Sequence, residues 1–489
     1  MDEVLGTNLI WVAGFALDLA IKVAALIIIP KGRKPTAAMA WLLAVFLIPF
    51  VGLFLFLAIG STRLPKDRRD EQSRIDSFIR ASVLSAGEGA TDPSWPRWFA
   101  RVVQQNEALT GLPATTGNSA TLLGDYQESL DAMAAEIDAA STFVHVQFYI
   151  VAWDDTTRGF FAALERAVAR GVRVRLLADW LASRRIPNVE ATFAELDRIG
   201  VEWSWLLPVQ PFKGKYQRPD LRNHRKLLVV DGRVGFIGSQ NLLSRDYDSP
   251  KNIKRGLLWQ ELMCRVVGPA VAGINTAFLS DWRIETGDHL ADHLPAGEIA
   301  TADSADALAC QVVPSGPGYE TENGLRLFLS LIYGATDKVI LTSPYFVPDE
   351  ALLYAISTAC QRGLEVQLFV SEIGDQGLVH HAQRSYYREL LEAGVRIFLY
   401  PAPFILHAKH LSIDEEIAVI GSSNMDIRSF SLNSEVSLMV RGESFVREMR
   451  KIEQAYRDAG RALTLAAWEQ EPTRATFRDG LARLTSALN

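Results

Sequence analysis

The sequence predicts an α/β protein of two similar halves, preceded by an N-terminal transmembrane helical hairpin. Three observations predict it: an order of helices and strands that occurs twice, a polar motif that closes each copy, and an uncharged stretch near the N-terminus. Strands alternating with helices of this length form βαβ units and a parallel or mixed sheet with helices on both faces.

In the first copy a helix-like stretch, Tyr126 to Ala140, leads to an apolar strand, Phe143 to Val151. A helix (Arg158 to Arg170), a glycine and the strand Val172 to Leu177 follow. The second copy repeats the order with Gly324 to Tyr333, Lys338 to Val347, Glu350 to Arg362, Gly363 and Leu364 to Val370. The expected organisation is an anchor over 1–65, a connector over 66–110 that is polar as far as Pro96 with the soluble part beginning near Trp98, a first half over 111–290, a second half over 305–445 and a helical tail over 446–489, with the halves joined near Gly287 to Ser304.

From Pro35 to Thr62 no side chain is charged, a run longer than the ~20 residues a helix needs to cross a bilayer, with Pro49 tolerated as a kink. Val4 to Ile29 is as apolar apart from Asp18 and Lys22, whose spacing lets them pair on one helix face. It reads as a second crossing or as an interfacial or re-entrant segment. Asp2 and Glu3 are the reverse of a basic signal-peptide start, so the hairpin is retained. Lys31, Arg33 and Lys34 compete with Arg63, Lys66, Arg68 and Arg69, and the balance leans towards a cytoplasmic bulk domain.

A formal net charge of −7 argues against binding nucleic acid through overall charge. Cys264, Cys310 and Cys360 are far apart and form no C-x-x-C pair, which gives neither a disulfide framework nor a zinc site.

The chemistry lies in two His-x-Lys-x4-Asp motifs, His224-Lys226-Asp231 and His407-Lys409-Asp414. Each is followed by Gly-Ser-x-Asn, which supplies Ser239 with Asn241 and Ser422 with Asn424. Residues two apart in a strand share a face, so His and Lys project together. Asp231-Gly232 and Asp414-Glu415 suit a tight turn, and the returning strand carries Ser and Asn up beside them. An imidazole can attack phosphorus or deliver a proton, a lysine neutralises phosphoryl oxygens, and Ser and Asn add neutral hydrogen bonds. Nucleophile and acid need two histidines, which the two copies deliver. The lysines take the place of a divalent metal, and no cofactor is expected. His407 and His410 face opposite ways on a strand, which disfavours a zinc pair.

With Asn223-His224-Arg225-Lys226 in the first copy, the run from Gly421 through Asn424 to Glu435 in the second, and the hydrophobic N-terminus, the chain resembles the phospholipase D superfamily and is similar to bacterial cardiolipin synthases. The resemblance implies two phospholipase D-like halves related by pseudo-twofold symmetry and passage of a phosphatidyl group from phosphatidylglycerol through a catalytic histidine to a second phosphatidylglycerol, giving cardiolipin. It implies His224 and His407 as nucleophile and acid/base, with His224 favoured as the nucleophile. It also implies Lys226, Lys409, Asn241 and Asn424 as phosphate ligands, and Glu261 and Glu435 as carboxylates that orient the histidines. Membrane lipids are the expected partners, nucleic acid is not, a homodimer is compatible, and the location is the inner membrane with multi-pass attachment.

The acceptor is not written in the motif, so water or another alcohol is the enzymatic alternative. Intact paired motifs disfavour a non-catalytic lipid-binding scaffold, and the acidic charge and anchor disfavour a nuclease. Lys213, Lys215, Arg218, Lys251, Lys254 and Arg255 flank the first motif, either as a dock for anionic headgroups or as a solvated loop. Tyr149 and Tyr345 occupy matching strand ends, with core packing favoured over a cleft role. His145, His289, His293, His380 and His381 lack motif context and read as structural.

Overall fold

The computed structural model describes residues 2–31, 33, 35–60, 64–66, 68–72, 74–75, 92–210, 215–288, 307–319 and 322–484. The chain divides into two units, Met1–Leu64 with Arg218–Asp220, and the remainder.

Among the described residues the first unit holds three helices, α1 (Asp2–Ile28), α2 (Pro35–Leu47) and α3 (Pro49–Ile59). Among the described residues one helix is long and apolar enough to cross a membrane, over Trp11–Ile28. Asp18 and Lys22 pair on it at 2.7 Å, as their spacing predicts. The Pro35 to Thr62 run differs from the kinked crossing expected of it. Proline lacks an N–H and pushes its predecessor out of the helical region, and Ile48 sits at φ −135°, ψ 73° between α2 and α3. The Trp41 and Phe56 ring centroids are 5.6 Å apart, whereas a straight helix would separate these positions by about 22 Å. α3 therefore folds back on α2. Gly52 permits the close approach, because a Cβ there would lie 2.5 Å from the Ala44 carbonyl oxygen. Arg33 donates to the carbonyls of Ile29 and Gly60, satisfying groups left over at the ends of α1 and α3.

The second unit is built on one 15-stranded sheet. Its first-half strands are β1 (Thr115–Leu123), β2 (Phe143–Phe148), β3 (Arg173–Asp179), β4 (Glu202–Leu206), β5 (Leu227–Val230), β6 (Val234–Gly238) and, after a short β7 (Leu258–Gln260) outside this sheet, β8 (Met263–Val267). The second-half strands are β9 (Leu308–Ser315), β10 (Lys338–Thr342), β11 (Glu365–Ser371), β12 (Arg396–Tyr400), a short β13 (Phe404–Leu406) outside the sheet, β14 (His410–Ile413), β15 (Ile417–Gly421) and β16 (Glu435–Arg441). A last strand, β17 (Arg461–Leu463), adds antiparallel to the β12 edge. From the centre outward the first half runs β1, β8, β6, β5, β2, β3, β4 and the second β9, β16, β15, β14, β10, β11, β12, so each strand has a counterpart. β1 and β9 pair antiparallel and join the halves into one sheet.

Alternation along the strands supplies both faces with apolar side chains. Leu227 and Val229 enter a central core with Ala418, Ile420 and residues of two 17-residue helices, Ala270–Thr286 and Glu443–Ala459. Leu228 and Val230 enter the opposite core of the first half, with Val144, Val146, Leu176 and helices Tyr126–Asp138 and Arg158–Ala169. The second half repeats this with Val339, Leu341, Val366 and Leu368 beneath helices Asn323–Gly334 and Glu350–Gln361.

Two expected boundaries move. Helix Arg97–Thr110 is not part of a connector, since Phe99, Val102 and Val103 pack into the second-half core with Leu327 and Leu331. The tail from 446 is not only helical, because it contains β17 and completes a helix that begins at Glu443. The joint expected at Gly287 to Ser304 lies outside the described residues beyond Asp288.

Candidate active site

Each motif histidine lies just before its strand, where the extended chain is gripped by the other half. The His224 N–H donates to the Ser434 carbonyl at 2.8 Å, and the His407 N–H to the Gln260 carbonyl at 2.7 Å. The residue after each of those carbonyls supplies a carboxylate. His224 Nδ1 meets Glu435 at 3.0 and 3.1 Å, and His407 Nδ1 meets Glu261 at 2.7 Å. Backbone and side chain of each histidine are thus oriented by the opposite half, and the four groups are buried together.

The lysines are placed by their own motifs. Lys226 Nζ donates to the His224 carbonyl and Lys409 Nζ to the His407 carbonyl, both at 2.5 Å. Each ammonium interacts electrostatically with both carboxylates. Burial disfavours charge on both imidazoles, which outweighs the attraction of Glu435 and Glu261 and lowers His224 and His407 each to about 4. Burial alone would raise the two glutamates, but the facing histidines, the lysines and serine hydroxyls hold both below the ordinary carboxylate value. At neutral pH each pair is therefore a neutral imidazole donating Nδ1–H to a carboxylate. Nε2 then carries the lone pair, and neither Nε2 has a hydrogen bond among the described residues.

Ser239 and Ser422, expected to bind phosphate, are engaged elsewhere. Ser239 Oγ donates to Glu261 at 2.6 Å and accepts the Leu262 N–H at 2.9 Å. Ser422 Oγ donates to Glu435 at 2.5 Å and accepts the Val436 N–H at 3.0 Å. A hydroxyl has one proton to give, so these serines hold the carboxylates. Asn241 accepts the Ile150 N–H and donates to the Tyr247 hydroxyl. Asn424 is buried, and its Oδ1 has no hydrogen-bond partner among the described residues.

Asp231 and Asp414 stand at the far ends of their strands, outside the cluster. Asp231, at φ 51°, accepts the N–H groups of Ser141, Thr142 and Phe143 and the Ser141 and Thr142 hydroxyls. Asp414, at φ 48°, accepts from Thr336, Asp337 and Lys338. Each pins its hairpin turn to the start of the neighbouring strand, and aspartate tolerates the left-handed region its turn needs. Asp231→Ala is expected to cost about 1–2 kcal/mol of stability by removing the charged acceptor that three N–H groups share at a part-exposed turn, with the folded fraction still active. Chemical denaturation alongside activity per folded molecule checks this, and a stable but inactive variant would count against it.

Tyr149 and Tyr345 are not simple core residues. Tyr149 meets the His224 ring edge-on at 4.8 Å and lies 5.1 Å from Lys226 Nζ, and Tyr345 approaches His407 at 6.2 Å. Tyr247, Gln260 and Ser434 were missed in sequence. The last two have one available signal, their position directly before Glu261 and Glu435. His145 stacks between Phe143 and Phe278, His410 contacts Thr342 and Glu453, and His381 pairs with Asp479 at 2.6 Å. His380 lines a small cavity with Tyr345 and Asp375. Lys251, Lys254 and Arg255 form the exposed face of a short helix, Pro250–Arg255, and Arg218 pairs with Asp220. Lys213, His289 and His293, and the side chain of Lys215, lie outside the described residues.

A family model described as "Cardiolipin synthase, PLD-like domain" matches residues 133–273 and 328–456, which covers both motifs. The chain belongs to this family of the phospholipase D superfamily. A second model, "Phospholipase_D-nuclease N-terminal", matches residues 20–61. Among relatives in the family, cardiolipin synthase A of Pectobacterium carotovorum is 30% identical over 472 residues, covering 95% of this chain and 96% of that protein. Cardiolipin synthase A of Proteus mirabilis is 30% identical over 478 residues with the same coverage, 95% and 96%. The crystal structure of phosphatidylserine synthase from Haemophilus influenzae shares the fold, with a TM-score of 0.60 at 14% identity over 79% of this chain and 99% of that one.

Proposed function

We propose that this phosphatidyltransferase moves a phosphatidyl group between two phosphatidylglycerol molecules, giving cardiolipin and glycerol through a covalent phosphatidyl-histidine. The observation that carries the reading is the pair of buried imidazoles, each tied at Nδ1 to a carboxylate of the opposite half and each accompanied by the buried lysine of its own motif.

In the proposed sequence His224 Nε2 attacks phosphorus and the bond to the glycerol oxygen breaks. His407, having taken a proton from solvent onto Nε2 as the anionic phosphodiester binds, delivers it to that oxygen. The anionic phosphodiester, arriving beside His407, raises the affinity of the imidazole for the proton it must carry. The glycerol hydroxyl of a second phosphatidylglycerol then gives its proton back to His407 and attacks, which releases His224. Lys226 and Lys409 neutralise the phosphoryl oxygens throughout.

Purified protein incubated with phosphatidylglycerol is expected to yield cardiolipin and glycerol. Mainly phosphatidic acid would refute the transfer to lipid in favour of water as acceptor. A pH dependence also follows. Burial pushes Lys409 down to about 8, with Glu261 and Glu435 resisting. The ammonium is charged below that pH and lost above it, so kcat/KM falls as pH rises through 8. A profile flat to about 10, the range of an ordinary lysine, would count against this role.

The apolar first unit attaches the protein to the inner membrane, with the catalytic part on the cytoplasmic side. A periplasm-only reporter active at the C-terminus would overturn that sidedness. Cysteine labelling from each side of the membrane, at Pro35 and at Gly60, counts the crossings of the α2–α3 segment.

A further inference from the structure

Helix Thr473–Arg483 lies against helix Gly377–Arg384 through Asp479, which bonds His381 at 2.6 Å and accepts from Arg384 at 3.2 Å. Asp479 and Ala482 are buried on that side. In a helix that meets only water, the face turned away from the packed one is polar. Here the outer face carries Phe477, Leu481 and Leu484, which are 66%, 51% and 80% exposed. They stand at i, i+4 and i+7, so they form one stripe along the helix. Exposed Arg474 and Arg478 each stand three residues before a stripe residue and border it. Asp479 is the only acidic residue from Thr473 to Leu484, and it is turned inward.

The stripe is carried on the wall of the His407 half-site. Helix Gly377–Arg384 starts directly after Asp375 and Gln376, whose side chains bond the Tyr345 hydroxyl at 3.0 and 3.2 Å. Tyr345 in turn approaches the His407 ring. The same loop is held from the first half, because Arg255 donates to the Gly374 carbonyl at 2.8 Å. The short helix of Arg255 adds exposed Lys254 and Ile253, the latter 55% exposed. Apolar and basic side chains from both halves thus flank one loop beside the cleft.

We propose that helix Thr473–Arg483 is an interfacial helix, which lays Phe477, Leu481 and Leu484 into a bilayer bearing anionic headgroups and holds the His407 side of the cleft at the lipid surface. An apolar stripe edged by arginines, with no acid facing outward, matches a surface that is hydrocarbon below and anionic phosphate above. The arginine stems lie along the apolar side chains while their guanidinium groups reach the phosphates. This contact is separate from the apolar first unit and adds to it.

Full-length protein in nanodiscs of phosphatidylcholine and phosphatidylglycerol tests the proposal. An environment-sensitive fluorophore is placed on Leu481→Cys in a Cys360→Ser background, since Cys264 and Cys310 are buried. The probe is expected to lose at least about half its fluorescence to spin labels on the lipid acyl chains, and to lose less when Arg474→Glu and Arg478→Glu are added. A probe quenched by aqueous iodide and untouched by the lipid label would overturn docking. So would a probe shielded from both, which would place a second copy or another protein surface on the stripe. The activity arm rests on the proposed transfer reaction. Phe477→Ser with Leu481→Ser is expected to slow transfer from bilayer phosphatidylglycerol at least ~10-fold, with turnover of a short-chain, monomerically dissolved phosphatidylglycerol within about twofold of wild type. Equal slowing of both, or slowing of neither, would show that the helix does not hold the cleft at the surface. The probe reports docking whether or not the wild type transfers lipid, so failure of the reaction and failure of docking are told apart.

Discussion

His224→Gln is expected to abolish phosphatidyl transfer, with kcat falling at least ~10⁴-fold, because the proposed nucleophile is removed. His407→Gln is expected to lower it by about 10²–10⁴-fold, the range for a lost general acid. The difference between them lies in what accumulates. With phosphatidyl-p-nitrophenol, whose leaving group departs without a proton, the His407 variant still forms the covalent intermediate but passes it on slowly, because no base activates the second alcohol. Acid-quenched protein should therefore carry phosphate label on His224 in the His407 variant and none in the His224 variant. Label on His407 of the wild type would reverse the two roles.

The second large effect concerns the carboxylates. Glu435→Gln is expected to cost about 10²–10⁴ in kcat, comparable to loss of an orienting acidic partner elsewhere. A glutamine amide can donate to Nδ1, which favours the tautomer with its proton on Nε2 and takes the lone pair away from the attacking position. Because Glu435 serves His224, that loss should be independent of the leaving group. Glu261→Gln acts on His407 and should spare p-nitrophenol release. Identical leaving-group behaviour in the two variants would break the assignment of each carboxylate to the opposite half's histidine.

Much of the site was legible because each motif is local. His, Lys, the turn and the returning Ser and Asn lie within one hairpin, so strand periodicity and turn chemistry predict the hairpin, while each serine bonds the carboxylate that holds the other motif's histidine. Glu261 and Glu435 came from resemblance, but which histidine each one serves did not. Misreadings arose where a polar residue had two candidate employers. Asp231 satisfies the N–H groups of Ser141 to Phe143, and Ser239 and Ser422 bind carboxylates, and neither demand is visible in the motif. Tyr247 was missed because its partner Glu261 is brought in by strand pairing across a loop. At the N-terminus apolarity was read correctly, but the doubling back at Pro49 depends on Gly52 lying against Ala44, a contact between helices.

The sequence by itself determined two α/β copies, two His-Lys hairpins and an apolar N-terminal region, because these follow from residue spacing within short segments. Only the tertiary structure decided that His224 belongs to Glu435 and His407 to Glu261, pairs 211 and 146 residues apart. The physical reason is that the antiparallel β1–β9 pairing joins the halves about a shared sheet, and each motif then buries its imidazole against the carboxylate of the other half. One His-x-Lys-x4-Asp copy therefore supplies an imidazole with no orienting carboxylate, and the site exists only where the two meet.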